Sequence, residues 1–69
     1  MTRLTDIFSD PLIADEERSL SAILSEDFGV THRKGANGRR ELVGRDGAVI
    51  GNFNHVEATR WVIDQRRAA

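Results

Sequence analysis

Apolar residues recur at nearly every third or fourth position in two stretches of the chain, the spacing of an amphipathic helix. In the first stretch, Asp10 and Pro11 have the residue types of an N-cap and a first helical position. The apolar positions that follow are Ile13, Leu20, Ile23, Leu24 and Phe28. Gly29 can take the left-handed conformation that ends a helix. The pattern predicts a helix over residues 10–28, preceded by a partly ordered segment over residues 1–9.

The second helical stretch lies near the end of the chain. Asn54 has the residue type of an N-cap, and Glu57 three residues later completes the pattern of a capping box. The apolar positions at helical spacing are Val56, Ala58, Trp61, Val62 and Ile63. The pattern predicts a helix over residues 54–67.

Between the two predicted helices the apolar period changes to two, which is typical of strands. Asn37-Gly38 and Asp46-Gly47 interrupt this pattern, and both dipeptides accept the positive φ angles of a type I′ turn. The predicted strands are Val30–Gly35, Arg39–Arg45 and Ala48–Phe53. Together they predict a three-stranded antiparallel meander over residues 30–53.

The order of the elements predicts a single small α+β domain over residues 1–69, with the topology α-β-β-β-α. Both helices are expected to pack on one face of the meander, because an amphipathic helix must bury its apolar stripe against the sheet. If both turns contain two residues, one face carries Thr31, Arg33, Arg40, Leu42, Val49 and Phe53. We expect this face to form the core, since glycines on it would let the helices approach closely. Val43 and Ile50 are then exposed on the other face, although a slip of one residue would exchange the two faces.

The composition limits what such a domain can do. A chain of 69 residues leaves little room for a deep substrate cavity beside its core. The absence of cysteine excludes disulfides and thiolate metal sites and fits a reducing compartment. Residues 1–10 lack the apolar region of a secretory signal, and the longest apolar run, Trp61–Ile63, is far too short to cross a membrane. We therefore expect a cytoplasmic protein with no membrane contact.

The residues that could carry out chemistry are few and scattered. His32 and His55 are the only histidines, and neither belongs to a metal-ligand pattern. The serines occur in or before the first predicted helix, at Ser9, Ser19, Ser21 and Ser25. None has the glycines of a nucleophile elbow. We expect no catalytic residue, no metal and no cofactor, unless a partner chain completes a site.

The charges are distributed unevenly along the chain. The formal net charge is −1, but residues 1–30 carry seven acidic and two basic residues, whereas residues 31–69 carry eight basic and four acidic residues. Such an asymmetry between the halves of a chain is a sign of an interaction surface.

Most of the basic residues of the second half cluster around the first predicted turn. The candidate partner-binding residues are His32, Arg33, Lys34, Arg39, Arg40, Val43, Arg45 and Ile50. One interpretation is a nucleic-acid-binding domain that uses the hairpin around residues 32–45, since phosphate backbones bind to basic patches. Another is a solvated hairpin whose cations pair with Glu41 or with the acidic first helix.

We favour a protein partner over a nucleic acid. Freestanding nucleic-acid-binding domains are usually strongly basic, and this chain has a net charge near zero. The expected function is that of a non-enzymatic binding module, such as a small inhibitor, adaptor or regulatory protein of phage or bacterial type. Homo-oligomerisation is also compatible with the sequence.

The element order is that of double-stranded-RNA-binding domains, and part of the sequence resembles the second half of that family. Within residues 43–58, the features that carry the resemblance are the turn glycine Gly47, the strand Val49–Gly51 and a helix that opens with Glu57-Ala58. The resemblance implies the same fold and RNA binding by basic residues at the start of the last helix. At that position the chain has Asn54, His55, Val56 and Glu57, and no lysine.

A second resemblance is to the arm-binding domain of phage-type tyrosine recombinases. Over residues 38–63, the strand end Gly51–Phe53 leads into a helix with Glu57-Ala58 and the aromatic residue Trp61. This resemblance implies a three-stranded sheet that lies on DNA. Both resemblances rest on packing patterns, so the function is argued from the surface residues.

Overall fold

The computed structural model describes residues 8–68 and has the order helix, strand, strand, strand, helix. The elements are α1 (Leu20–Phe28), β1 (Thr31–Lys34), β2 (Arg40–Val43), β3 (Val49–Phe53) and α2 (His55–Ala68). The strands form an antiparallel sheet in the order β1-β2-β3, and both helices pack on one face of it. The predicted α-β-β-β-α fold is confirmed. The expectation for residues 1–9 falls mostly on residues 1–7, which lie outside the described part of the chain.

Leu42, on the central strand β2, lies at the middle of the core and is only 1% exposed. The fully buried side chains around it come from both helices and from the start of the sheet. They are Ile23, Leu24, Val30, Ala58 and Val62. Trp61 packs at the edge of this cluster, where its ring meets that of Phe28 edge-on at a centroid distance of 5.3 Å. The core therefore joins both helices to one face of the sheet.

The first helix is shorter than predicted, because it begins at Leu20 and not at Asp10. Asp10 caps one separate turn: its backbone oxygen accepts from Ala14 N at 2.8 Å, and its Oδ1 accepts from Leu12 N at 2.9 Å. A helix through residues 10–28 would place Glu16 and Glu17 between Ile13 and Leu20 on the apolar stripe, which is unfavourable. The chain instead starts a new helix at Ser19, whose Oγ accepts from Ala22 N at 3.2 Å.

Two other helix ends are those that the sequence predicts. Gly29 ends α1 in the left-handed conformation at φ +66°, and the next residue, Val30, donates to Leu24 O. At the start of α2, Asn54 and Glu57 exchange hydrogen bonds between side chain and backbone at 2.8 and 3.0 Å. The predicted capping box is confirmed.

The first hairpin contains one residue more than a two-residue turn allows. Asn37 and Gly38 have the expected positive φ angles, and Arg39 N donates to Ala36 O across them. However, Arg39 O accepts from Gly35 N, so Gly35 and Ala36 both lie opposite Arg39. This extra residue is a β-bulge, and it shifts the pairing of β1 against β2 by one position.

The second hairpin also differs from the predicted type I′ turn. Gly47 N donates to Gly44 O, so Arg45 and Asp46 are the central residues of the turn, and Gly47 follows at φ +83°. This three-residue loop is a common hairpin connection that needs glycine at its last position. The pairing of β2 with β3 contains a second irregularity, next to Val43.

Because of these irregularities, several residues lie on the opposite face of the sheet from the one predicted. Thr31 and Arg33 pair with Val43 and Glu41, so they lie on the face that the helices leave uncovered, which we call the outer face. Val49 pairs with Val43 and also lies there. His32 and Lys34 pair with Leu42 and Arg40 and lie on the helix-covered side. The predicted face is confirmed for Leu42, Phe53 and Arg40. It is wrong for Val49, which was expected in the core, and for Thr31 and Arg33.

A cluster of ion pairs fixes the turn region before α1 to both helices. Arg18 donates to both carboxylate oxygens of Glu16 at 2.9 and 3.1 Å, and to both of Asp27 at 3.0 and 2.8 Å. Arg66 of α2 donates to the same two carboxylates at 3.2 and 3.0 Å, and to Leu12 O at 2.7 Å. Hydrogen bonds from Arg18, with a further contribution from Arg66, lower the pKa of Glu16 and of Asp27 to about 2.

Candidate interaction surface

The outer face of the sheet carries three aliphatic side chains that neither α1 nor α2 covers. Val49 is 51% exposed, Ile50 is 37% exposed, and Val43 on the neighbouring strand is half-buried. Because the pairing is irregular here, Ile50 has no partner residue on β2 and stands beside the pair formed by Val43 and Val49. The three side chains therefore occupy one end of the outer face as a small apolar patch.

Polar residues border this patch on the same face. Arg33 of β1 lies opposite Glu41 of β2, and its Nε donates to Glu41 Oε1 at 2.6 Å. Asn52 of β3 lies opposite Glu41 on the other side and donates to Ala36 O at 3.3 Å. The charges of Arg33 and Glu41 compensate each other, so the outer face is an apolar patch with a nearly neutral polar border.

The basic residues of the predicted site do not converge on one surface. Arg39 forms an ion pair with Glu57 of α2. Arg45 reaches the C-terminal end of α1, where its Nε donates to Phe28 O at 3.3 Å. The negative end of the helix dipole stabilises a cation at this position. His32, Lys34 and Arg40 are on the helix side of the sheet, and Arg33 is on the outer face. Successive residues of a strand face opposite sides of the sheet, so Arg33 is separated from His32 and Lys34. The bulge after β1 also separates Arg33 from Arg40, which simple alternation predicts on the same face.

A groove of about 440 Å³ lies on the helix side, between α1, β2 and the start of α2. Leu20, Leu42 and Phe53 are among its apolar lining residues. His32 and Arg40 also line it, and His32 Nε2 is 2.7 Å from Ser21 Oγ. Two of the predicted site residues thus contribute to a different surface from the one that carries Val43 and Ile50.

The sequence prediction missed Val49 on the outer face and Ser21 and His55 in the groove. Simple alternation along the strand places Val49 in the core, but a bulge invalidates this alternation. His55 lies in the first turn of α2, inside the predicted helix, and that position alone gives no sign that it borders a groove. The glycines in both turns were the only signal of irregular pairing.

Comparison with models of known families, with curated proteins and with solved structures found no match to this chain. Over residues 8–68, no helix is long and apolar enough to cross a membrane. In the same range, no group of three or more histidine, aspartate or glutamate side chains could together hold a metal ion. The functional argument therefore depends on the two surfaces alone.

Proposed function

We propose that this protein is a non-enzymatic binding module, a small cytoplasmic inhibitor, adaptor or regulatory protein of phage or bacterial type. It binds a protein partner through the outer face of its sheet. The observation that carries the proposal is the exposure of Val49 and Ile50 beside Val43, on a face to which the described part of the chain contributes no covering layer. Contiguous exposed apolar residues with a polar border are typical of protein interfaces.

The electrostatics of the outer face favour protein over nucleic acid. A surface that binds phosphates needs several cations side by side. Among the described residues, the cation at the border of the patch is Arg33, and it is paired with Glu41. Arg39, which precedes the other end of β2, is paired with Glu57. The chain as a whole has a net charge of −1. A partner with an apolar surface and a polar border complements this face better than a polyanion does.

Affinity purification of the tagged full chain, with and without nuclease, tests the proposal. We expect the same protein to be recovered in both conditions. Ile50→Asp and Val43→Asp should each reduce its recovery at least about tenfold, because a carboxylate buried in an apolar interface loses its hydration. Both variants should keep the wild-type melting temperature within a few degrees, since the changed side chains contribute little to the core.

Gln65→Glu on α2 is the matched control, because it adds one negative charge at an exposed position remote from the outer face. It should leave the recovery unchanged. Loss of the partner after nuclease treatment would contradict the proposal and support the nucleic-acid alternative. If the purified chain sediments as a dimer, and Ile50→Asp dissociates that dimer, then the partner of the outer face is a second copy of the chain.

A further inference from the structure

The groove on the helix side has the size and lining of a ligand site. Its volume of about 440 Å³ falls within the range of about 300–1,000 Å³ that is usual for such sites. Leu20 and Leu24 of α1, Leu42 and Phe53 of the sheet, and Ala58 of α2 form its apolar lining. This space can take one or two large apolar side chains of a ligand.

The polar lining of the groove is cationic or neutral. Arg40 borders it together with the imidazoles of His32 and His55, and the described lining residues include no aspartate or glutamate. Lys34 lies opposite Arg40 on the same side of the sheet. The N-cap residues of both helices, Ser19 and Asn54, also line the groove and bring the positive ends of the helix dipoles close to it.

The cations Lys34 and Arg40 differ from Arg18, Arg39 and Arg66 in their ion pairing. Among residues 8–68, neither Lys34 nor Arg40 makes an ion pair. The acidic residue in the first turn of α2, Glu57, is already paired with Arg39. The acidic residues Glu16 and Asp27 are likewise paired, with Arg18 and Arg66. A carboxylate ligand would therefore meet uncompensated positive charge at the groove.

We propose that this groove binds an acidic peptide segment of a protein, with one or two large apolar side chains on its apolar floor and a carboxylate at Arg40. An apolar floor with a cationic border complements a peptide in which leucine or phenylalanine alternates with glutamate or aspartate. A phosphate backbone would match the cations but would leave the apolar floor unfilled. The groove lies on the side of the sheet opposite the outer face, so its test is independent of the function proposed above.

The histidines make the binding directly observable. His32 and His55 are the only histidines of the chain, and both line the groove. The ligand used is a short synthetic peptide of alternating leucine and glutamate around one phenylalanine, titrated into the full chain and followed by NMR. We expect the imidazole resonances of both histidines to shift together and to saturate. The same peptide with glutamine in place of glutamate should bind about tenfold more weakly, because it lacks the ionic contacts.

Two substitutions on the same sheet separate the groove from a general charge effect. Arg40→Gln should weaken binding of the acidic peptide about fivefold, the loss expected for one exposed ion pair. Arg33→Gln removes the same charge from the neighbouring strand, but on the outer face, and should leave the affinity unchanged. Circular dichroism should show that both variants keep the wild-type fold.

Four results would overturn the proposal. The first is equal binding of the glutamate and glutamine peptides, and the second is an unchanged affinity in Arg40→Gln. The third is an oligonucleotide that shifts the same histidine resonances at a lower concentration than the acidic peptide does. The fourth is a shift of only one of the two histidine resonances during the peptide titration, which would place the peptide outside the groove.

Discussion

Leu42 and Val49 lie on neighbouring strands in opposite surroundings. Leu42 is 1% exposed and is packed between the two helices, whereas Val49 is 51% exposed on the outer face. The free energy of burying an aliphatic side chain scales with the apolar area removed from water. Leu42 therefore stabilises the fold, and Val49 leaves its apolar surface available to a partner.

Substitution of these two residues by alanine should give very different losses of stability. Leu42→Ala should lower the free energy of unfolding by about 2–5 kcal/mol, because it leaves a cavity at the centre of a small core. Val49→Ala should lower it by about 0.5 kcal/mol, since its side chain is mostly in water. Urea denaturation of the two variants checks this. Equal losses would mean that Val49 faces the core and that the strand register is different.

At the scale of elements, the sequence predicts best where local hydrogen bonding decides the structure. The capping box of Asn54 and Glu57 and the helix end at Gly29 need only neighbouring residues, and both are confirmed. The face of Val49 depends on a bulge, whose position is set by pairing between strands and not by the residue types of one strand. For the same reason the predicted faces of Thr31 and Arg33 are wrong.

The early start predicted for α1 shows a different limit of sequence-based prediction, the choice between two helix starts. Asp10-Pro11 is a good helix start and does cap a turn, but Ser19 provides a second cap nine residues later. Two acceptable starts in one segment can be separated only by tertiary contacts. Here the ion pairs of Glu16 with Arg18 and Arg66 hold the intervening residues out of a helix.

The position of the first helix can be checked by removing its cap. Ser19→Ala should lower the free energy of unfolding by about 1 kcal/mol, because Ala22 N loses its hydrogen-bond acceptor at the helix start. Ser25→Ala, an exposed position inside the same helix, should be neutral or slightly stabilising, as alanine is the better helix former. Both values come from chemical denaturation. A neutral Ser19→Ala would argue for a helix that starts before Ser19.

At the scale of the whole molecule, much of the charge asymmetry between the two halves of the chain is used internally. Arg66 and Arg67, near the end of the sequence, bind Glu16, Asp27 and Asp10 near its beginning. These contacts connect residues 39 to 57 positions apart and hold the turn region against α2. The asymmetry therefore results partly from contacts within the fold. Among residues 8–68, the cations that make no ion pair are Lys34, Arg40, Arg45 and Arg60, and of these Arg40 borders the groove.

This ion-pair cluster should make the protein sensitive to acid. The pKa values of Glu16 and Asp27 are about 2 in the folded chain, against ordinary values of 4.5 and 3.8. Because folding lowers both pKa values, their stabilising contribution is complete above about pH 4.5 and is lost as the pH falls towards 2. Thermal unfolding across this range should show the melting temperature falling. The doubly substituted variant Glu16→Gln, Asp27→Asn should be less stable at neutral pH, and its melting temperature should fall less as the pH is lowered. An equal fall of the melting temperature would contradict the assignment of the acid sensitivity to Glu16 and Asp27.

The most direct test of the central claim is site-specific crosslinking at the outer face. A photoreactive phenylalanine analogue introduced in place of Ile50 should form a covalent adduct with a protein partner in cells, and nuclease treatment should leave this adduct intact. The same analogue in place of Gln65, on the exposed side of α2, should give no such adduct. Adducts from position 65 but not from position 50, or adducts from position 50 that nuclease removes, would contradict a protein interface on the outer face.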